Sequence, residues 1–175
     1  MKIVEPGTEN ELPVGEVGEI IMSSVTNMMG YLNDPEETDK VLRLHSDGKQ
    51  WIHSGDLGCV DEDGYFFFKG RIKRMIVTSG YNVFPIELEE TIGNCELVEK
   101  CCVVGIKDEI RVEKVKAYIK LKEGVEANDT SLDIIKKYCV EHIARYAIPR
   151  EYEFVDDFKT TRIGKLDYSQ LGVDS

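Results

Sequence analysis

The chain has 175 residues, 42% of them apolar, and carries 22 basic against 33 acidic side chains for a net charge of −11. That length allows one or two small domains with cores of their own, and the acidic balance sets up a field that repels nucleic acid and anionic membranes. No run approaches the roughly 20 apolar residues of a membrane span, and "MKIVEPGTEN" (1–10) lacks the apolar stretch of a signal peptide, so a cytoplasmic location is expected.

In chain order, "GEVGEIIMSS" (15–24) reads as a strand entered from a glycine turn. "NDPEETDKVL" (33–42) reads as a short acidic helix, with Pro35 in its first turn, Asn33 or Asp34 as cap, and acids near the positive end of the helix dipole. "QWIHSGDLGCVDEDGYFFFKGR" (50–71) holds two short strands joined at "DEDG" (61–64), where Gly64 can take a positive φ. After Gly70 the pattern changes. A short apolar strand lies within "RIKRMIVTSG" (71–80), and "FPIELEETIG" (84–93) reads as a helix from Pro85 to Gly93. "CCVVGI" (101–106) is a buried strand, and "VKAYIKLKE" (115–123) alternates, with Val115, Ala117, Ile119 and Leu121 on one face. A helix is expected from about 131 to 146, its stripe formed by Leu132, Ile135, Cys139, Ile143 and Tyr146, with Pro149 past its end. "EYEFV" (151–155) is the last strand. Interleaved helices and strands predict a compact α+β domain here, with a boundary near 71–75 and no Gly/Ser linker.

Three short stretches offer chemistry. In "HSGDLG" (53–58), Asp56 sits in a tight turn between Gly55 and Gly58. A carboxylate there can cap the turn, or accept two hydrogen bonds from the vicinal diol of a ribose. Arg71, Lys73 and Arg74 cluster in an otherwise acidic chain, and the predicted hairpin brings Arg71 toward Asp56. Such cations decorate a surface or, for an arginine, grip ribose or phosphate oxygens as a planar fork. "TSGYN" (78–82) is a glycine turn that also permits close approach of a ligand. Lys165 follows Gly164 near the C-terminus, either as a solvated lysine or as a movable charge for phosphate and acyl oxygens.

Several chemistries are missing. There is no phosphate loop, no dinucleotide fingerprint and no defensible Ser-His-Asp grouping. The histidines lack metal spacing, and His53 beside Ser54 is expected to serve local packing and turn chemistry. Cys59, Cys95, Cys101, Cys102 and Cys139 contain no CxxC pair, so they are expected to be reduced and mostly buried.

The order of the motifs is more telling than any one of them. "GEVGEIIMSSVTNMMGYLNDPEET", "WIHSGDLG", "GRIKRMIVTSGYNVFPIELEE" and "IPREYEFVDDFKTTRIGK" closely resemble the C-terminal part of the adenylate-forming superfamily, over about residues 12 to 171. That family includes acyl-CoA synthetases, fatty-acid and aryl-acid CoA ligases, luciferases and peptide-synthetase adenylation domains. The resemblance implies ATP with Mg2+, coenzyme A or a carrier phosphopantetheine, and a small carboxylic acid as partners. It implies that Asp56 binds the ribose hydroxyls and Arg71 the nucleotide, and that Lys73 is the hinge. By the same resemblance Ser79, Gly80 and Tyr81 line the pantetheine tunnel, and Lys165 is the catalytic lysine of adenylation. Val77 departs from members that carry a further lysine at its position.

The family's large N-terminal domain, with its phosphate loop and acid pocket, is absent from this sequence. Residues 1–72 are therefore expected to be the β-rich end of that domain and residues 73–175 the complete mobile domain. The chain alone is not expected to catalyse. The alternative is a natural short protein, non-catalytic, that binds a carrier protein or a partner subunit.

Overall fold

A computed structural model describes residues 1–162, 164 and 166–171, and the chain divides into two compact units, Met1–Lys73 and Arg74–Ser175. The first unit contains β1 (Lys2–Val4), β2 (Gly18–Met22), α1 (Pro35–Val41), β3 (Leu42–Leu44), β4 (Gln50–Val60) and β5 (Phe66–Arg71). β4 is the hub of its antiparallel sheet: β2 runs along one edge, β3 and β5 share the other, and β1 continues beyond β2. Asp34 caps α1 by accepting the Glu37 N–H at 3.0 Å. The β4–β5 turn closes on Asp61, whose Oδ1 accepts from the N–H groups of Asp63 and Tyr65, with Gly64 at φ 84°. Gly18 and Gly58 face each other across β2 and β4, where a Cβ would stand 2.3 Å from the Val4 carbonyl and 2.5 Å from the Phe67 carbonyl respectively. Only glycine lets the neighbouring backbones come that close. Val4, Ile21 and Trp51 pack together in an apolar interior that also holds Ile3 and Leu57, and Glu19, His45 and His53 are buried polar groups of the same unit.

The second unit contains β6 (Ile76–Thr78), β7 (Tyr81–Val83), α2 (Pro85–Gly93), β8 (Val98–Asp108), β9 (Val112–Leu121), α3 (Asp129–His142) and β10 (Glu151–Phe154). β9 is central: β8 pairs with it antiparallel, β10 parallel, and its first residue Val112 meets Thr78 of β6. The predicted alternation places Val115, Ala117 and Ile119 in one core with Leu88 and Ile92 of α2 and Ile135 and Cys139 of α3. The opposite side of the sheet holds a second core of Cys102, Val104, Tyr118 and Phe158, with Leu166, Tyr168 and Leu171 packed against it. Adjacent Cys101 and Cys102 therefore serve opposite cores, as the two-residue period of a strand requires. Arg74 ties the pieces together. Its guanidinium lies 2.6 Å from Glu89 Oε1 and stacks over the Tyr168 ring at 4.2 Å, while the same Glu89 oxygen accepts the Val103 N–H.

The α+β class matches the expectation, and α2 has the bounds read from Pro85 and Gly93. The short strands β1, β3 and β7 were not foreseen, because three residues carry no readable period. α3 begins at Asp129, capped by Asn128, and ends at His142 rather than 146; Ile143 is already extended at φ −117°. Tyr146 consequently leaves the predicted stripe and is 45% exposed. All five cysteines are free, Cys59 half-buried and the others buried, and burial pushes the Cys102 thiol up to about 12. Among the described residues no helix is long and apolar enough to cross a membrane.

Candidate functional site

The hairpin of β4 and β5 puts Asp56 and Arg71 directly opposite each other in register. Arg71 Nε lies 2.9 Å from Asp56 Oδ1. The contact is a charge pair without hydrogen-bond alignment, so this buried carboxylate oxygen has no donor aimed at it among the described residues. Arg71 is 64% exposed, which leaves the pair weak and the guanidinium accessible. Asp56 itself is held by backbone: its N–H donates to Ser54 Oγ at 3.0 Å, and that hydroxyl donates to the Ile20 carbonyl at 2.6 Å. His53, read from the sequence as local packing, is buried beside Ser54 and reaches Glu19 and His45.

Ser79, Gly80 and Tyr81 form a second locus, in the other unit. β6 and β7 pair Thr78 with Tyr81, leaving a two-residue hairpin in which Ser79 has φ 51° and Gly80 φ 83°. Both central residues are left-handed, the signature of the hairpin turn that matches strand twist. The Ser79 N–H donates to the Arg111 carbonyl at 3.1 Å, and the Tyr81 ring stacks on Tyr146 at 4.4 Å. Beside this turn opens a cleft lined by Ser79, Tyr81, Tyr146 and three arginines, Arg111, Arg145 and Arg150, with no carboxylate among its lining residues. Three arginines and no carboxylate in its lining give this cleft a local positive charge in an otherwise acidic chain, which suits an anion. Sequence reasoning missed all three, because they come from separate segments and only the fold unites them.

Lys73 lies in a 3-10 turn, Ile72–Arg74, at the last position of the first unit. Lys165 lies outside the described residues. Around it, Thr160 bridges Leu166, the Asp167 N–H donates to the Lys159 carbonyl at 2.9 Å, and Gly164 takes φ 78°. The structure thus brings Asp56 and Arg71 together in one unit and Ser79, Gly80 and Tyr81 together in the other.

Comparison with known proteins gives these loci a context. Residues 87–165 match the AMP-binding enzyme C-terminal domain. The chain is 40% identical over 151 residues to a long-chain-fatty-acid–CoA ligase of Bacillus subtilis, covering 86% of this chain and 26% of the ligase. It is 38% identical over 155 residues to a feruloyl-CoA synthase of Amycolatopsis, covering 89% of this chain and 30% of the synthase. The crystal structure of ATP-bound MatB from Rhodopseudomonas palustris superposes with a TM-score of 0.85 at 29% identity, covering 97% of this chain and 32% of MatB. The chain spans about a third or less of the length of each of these relatives. It belongs to the adenylate-forming, AMP-binding enzymes, and the portion it represents carries the C-terminal domain of that family.

Proposed function

We propose that the chain is the C-terminal portion of an ATP-dependent acyl-CoA synthetase. Such an enzyme joins a carboxylic acid to ATP as an acyl-adenylate, releases pyrophosphate, and passes the acyl group to the thiol of coenzyme A. The observation that carries this reading is the Asp56–Arg71 pair. An Asp56 carboxylate whose side chain is 30% exposed, set beside an accessible guanidinium, suits a ribose hydroxyl next to a phosphate. Mg2+ would arrive with the ATP phosphates; among the described residues no group of three or more His, Cys, Asp or Glu is arranged to hold a metal ion.

On this reading residues 1–72 end a larger nucleotide-binding domain, residues 73–175 are the mobile domain, and Lys73 is the hinge. Val25, Met29 and Leu32 are almost fully exposed in the first unit, which fits a surface that further polypeptide covers. The turn of Ser79, Gly80 and Tyr81 receives the pantetheine arm, and Arg111, Arg145 and Arg150 offer counter-charges for the phosphates at the far end of coenzyme A. The carboxylic acid is bound by polypeptide outside this chain, so the isolated chain does not turn over.

Lys165 supplies the positive charge for adenylation and is withdrawn for the thioester step. In the full enzyme, Lys165→Ala lowers acyl-adenylate formation about 10²–10³-fold while thioester formation from supplied acyl-adenylate persists. Equal loss of both half-reactions would overturn the two-step role. Pyrophosphate release by the 175-residue chain alone would overturn its standing as a portion of a larger catalyst.

A further inference from the structure

β2 and β4 are in register at Gly18–Gly58 and Glu19–Leu57 and again at Ile21–His53. Three residues of β4, Ser54, Gly55 and Asp56, therefore stand opposite the single residue Ile20. This bulge takes Gly55 to φ 69° and turns its N–H away from the strand ladder. A side chain takes it up instead. Glu19, only 4% exposed, accepts the Gly55 N–H at Oε1 over 3.0 Å, and its Oε2 lies 2.9 Å from His53 Nδ1. Behind that, His53 Nε2 meets His45 Nε2 at 3.0 Å, and the His45 ring stacks beside Trp51.

A carboxylate this deep is costly unless both oxygens are partnered. Its strand neighbours Ile20 and Ile21 show that apolar side chains suit the place. What an apolar residue cannot do is hold the Gly55 N–H and His53 at once. We infer that Glu19 is the positioning residue for Asp56: through the Gly55 bulge, its buried carboxylate fixes where the Asp56 carboxylate stands opposite Arg71. The inference rests on the reading of Asp56 as the ribose-binding group.

The hydrogen-bond chain also says which substitution should be tolerated. Only one proton fits between the two Nε2 atoms, so the chain runs in a single donor direction. In Glu19→Gln the direction reverses. The amide NH2 donates to His53 Nδ1, His53 Nε2–H donates to His45, the amide oxygen still accepts from Gly55, and only the long 3.4 Å contact from the Gly7 N–H to Oε2 is given up. Glu19→Ala provides neither contact.

The test measures KM and kcat in the full enzyme for ATP and for 2′-deoxy-ATP, with thermal melting as a check on folding. Glu19→Ala raises KM for ATP about tenfold with kcat within about twofold, and erodes the preference for ATP over 2′-deoxy-ATP. Glu19→Gln stays within about twofold of the parent on each measure. Ser54→Ala, which removes the other clamp on the bulge, moves KM in the same direction and keeps the question answerable if Glu19→Ala does not fold. Unchanged KM and selectivity in Glu19→Ala and Ser54→Ala, beside a defective Asp56→Ala, would overturn the inference. A neutral Asp56→Ala would instead overturn the ribose reading. In that event Gly55 amide exchange in the 175-residue chain decides the positioning claim by itself. Acceleration in Glu19→Ala and none in Glu19→Gln supports it, and unchanged exchange in Glu19→Ala overturns it.

Discussion

The two units solve the problem of stability by different means. The Arg74–Ser175 unit buries apolar side chains on both sides of its sheet, one core against α2 and α3 and the other under the C-terminal segment. Among the described residues its buried polar side chains are Thr78 and Ser131. The Met1–Lys73 unit buries fewer apolar side chains, among them Ile3, Val4, Ile21, Trp51 and Leu57, and it places Glu19, His45 and His53 in the interior. Its sheet is interrupted by a bulge and pinned by glycines, while large apolar side chains such as Met29 and Phe68 face outward. The contrast teaches that one unit keeps its interior almost wholly apolar. The other commits interior volume to holding a carboxylate in place, which is a sign of a site rather than of a scaffold.

The comparison can be broken first at the larger core. Ile135 is fully buried against β8, β9 and α2, whereas its neighbour Ile134 is 42% exposed. Ile135→Ala costs about 2–5 kcal/mol and Ile134→Ala about 0.5, both by urea denaturation; equal costs would mean that α3 does not pack as described. A smaller effect is expected at the glycine pair of the first unit. In Gly58→Ala the new methyl meets the Phe67 carbonyl at 2.5 Å, a backbone atom that cannot swing aside. The expected loss is about 1–3 kcal/mol, and a neutral result would show that this sheet yields more readily than the other.

The smallest effect is electrostatic and belongs to the second unit. The backbone N–H groups of Arg111 and Ile110 hold the Asp108 carboxyl below its ordinary range. A carboxyl lowered on folding contributes stability that is present above its unfolded value and is lost as pH falls through its folded value. Thermal melting between pH 5 and pH 2 therefore drops less steeply for Asp108→Asn than for the parent, the bond to the backbone being kept and the titration removed. Identical slopes would remove Asp108 from the account of acid sensitivity.

Much of this molecule is local and was therefore readable. Pro35 and Pro85 started their helices, Gly93 ended one, and Gly64 turned the hairpin, because each acts within its own few residues. The alternation of Val115, Ala117 and Ile119 fixed the face of β9 that meets the helices. It gave no warning of Tyr118, buried on the other side by a segment some 40 residues later. Tyr146 was misread for a related reason: its spacing continued the helical stripe, but the chain had already turned extended at Ile143.

What the sequence determined by itself is the family, the α+β class, and the order of the stretches that bear Asp56, Arg71, the Ser79–Gly80 turn and Lys165. Only the tertiary structure decided that Asp56 faces Arg71 in register, that Glu19 and His45 stand behind the bulge, and that Arg111, Arg145 and Arg150 share a cleft. The physical reason is range. Caps, turns and periods are settled by neighbours a few residues away. Strand register and the meeting of charges from distant segments are settled by burial of the whole sheet, and no short window of sequence contains that information.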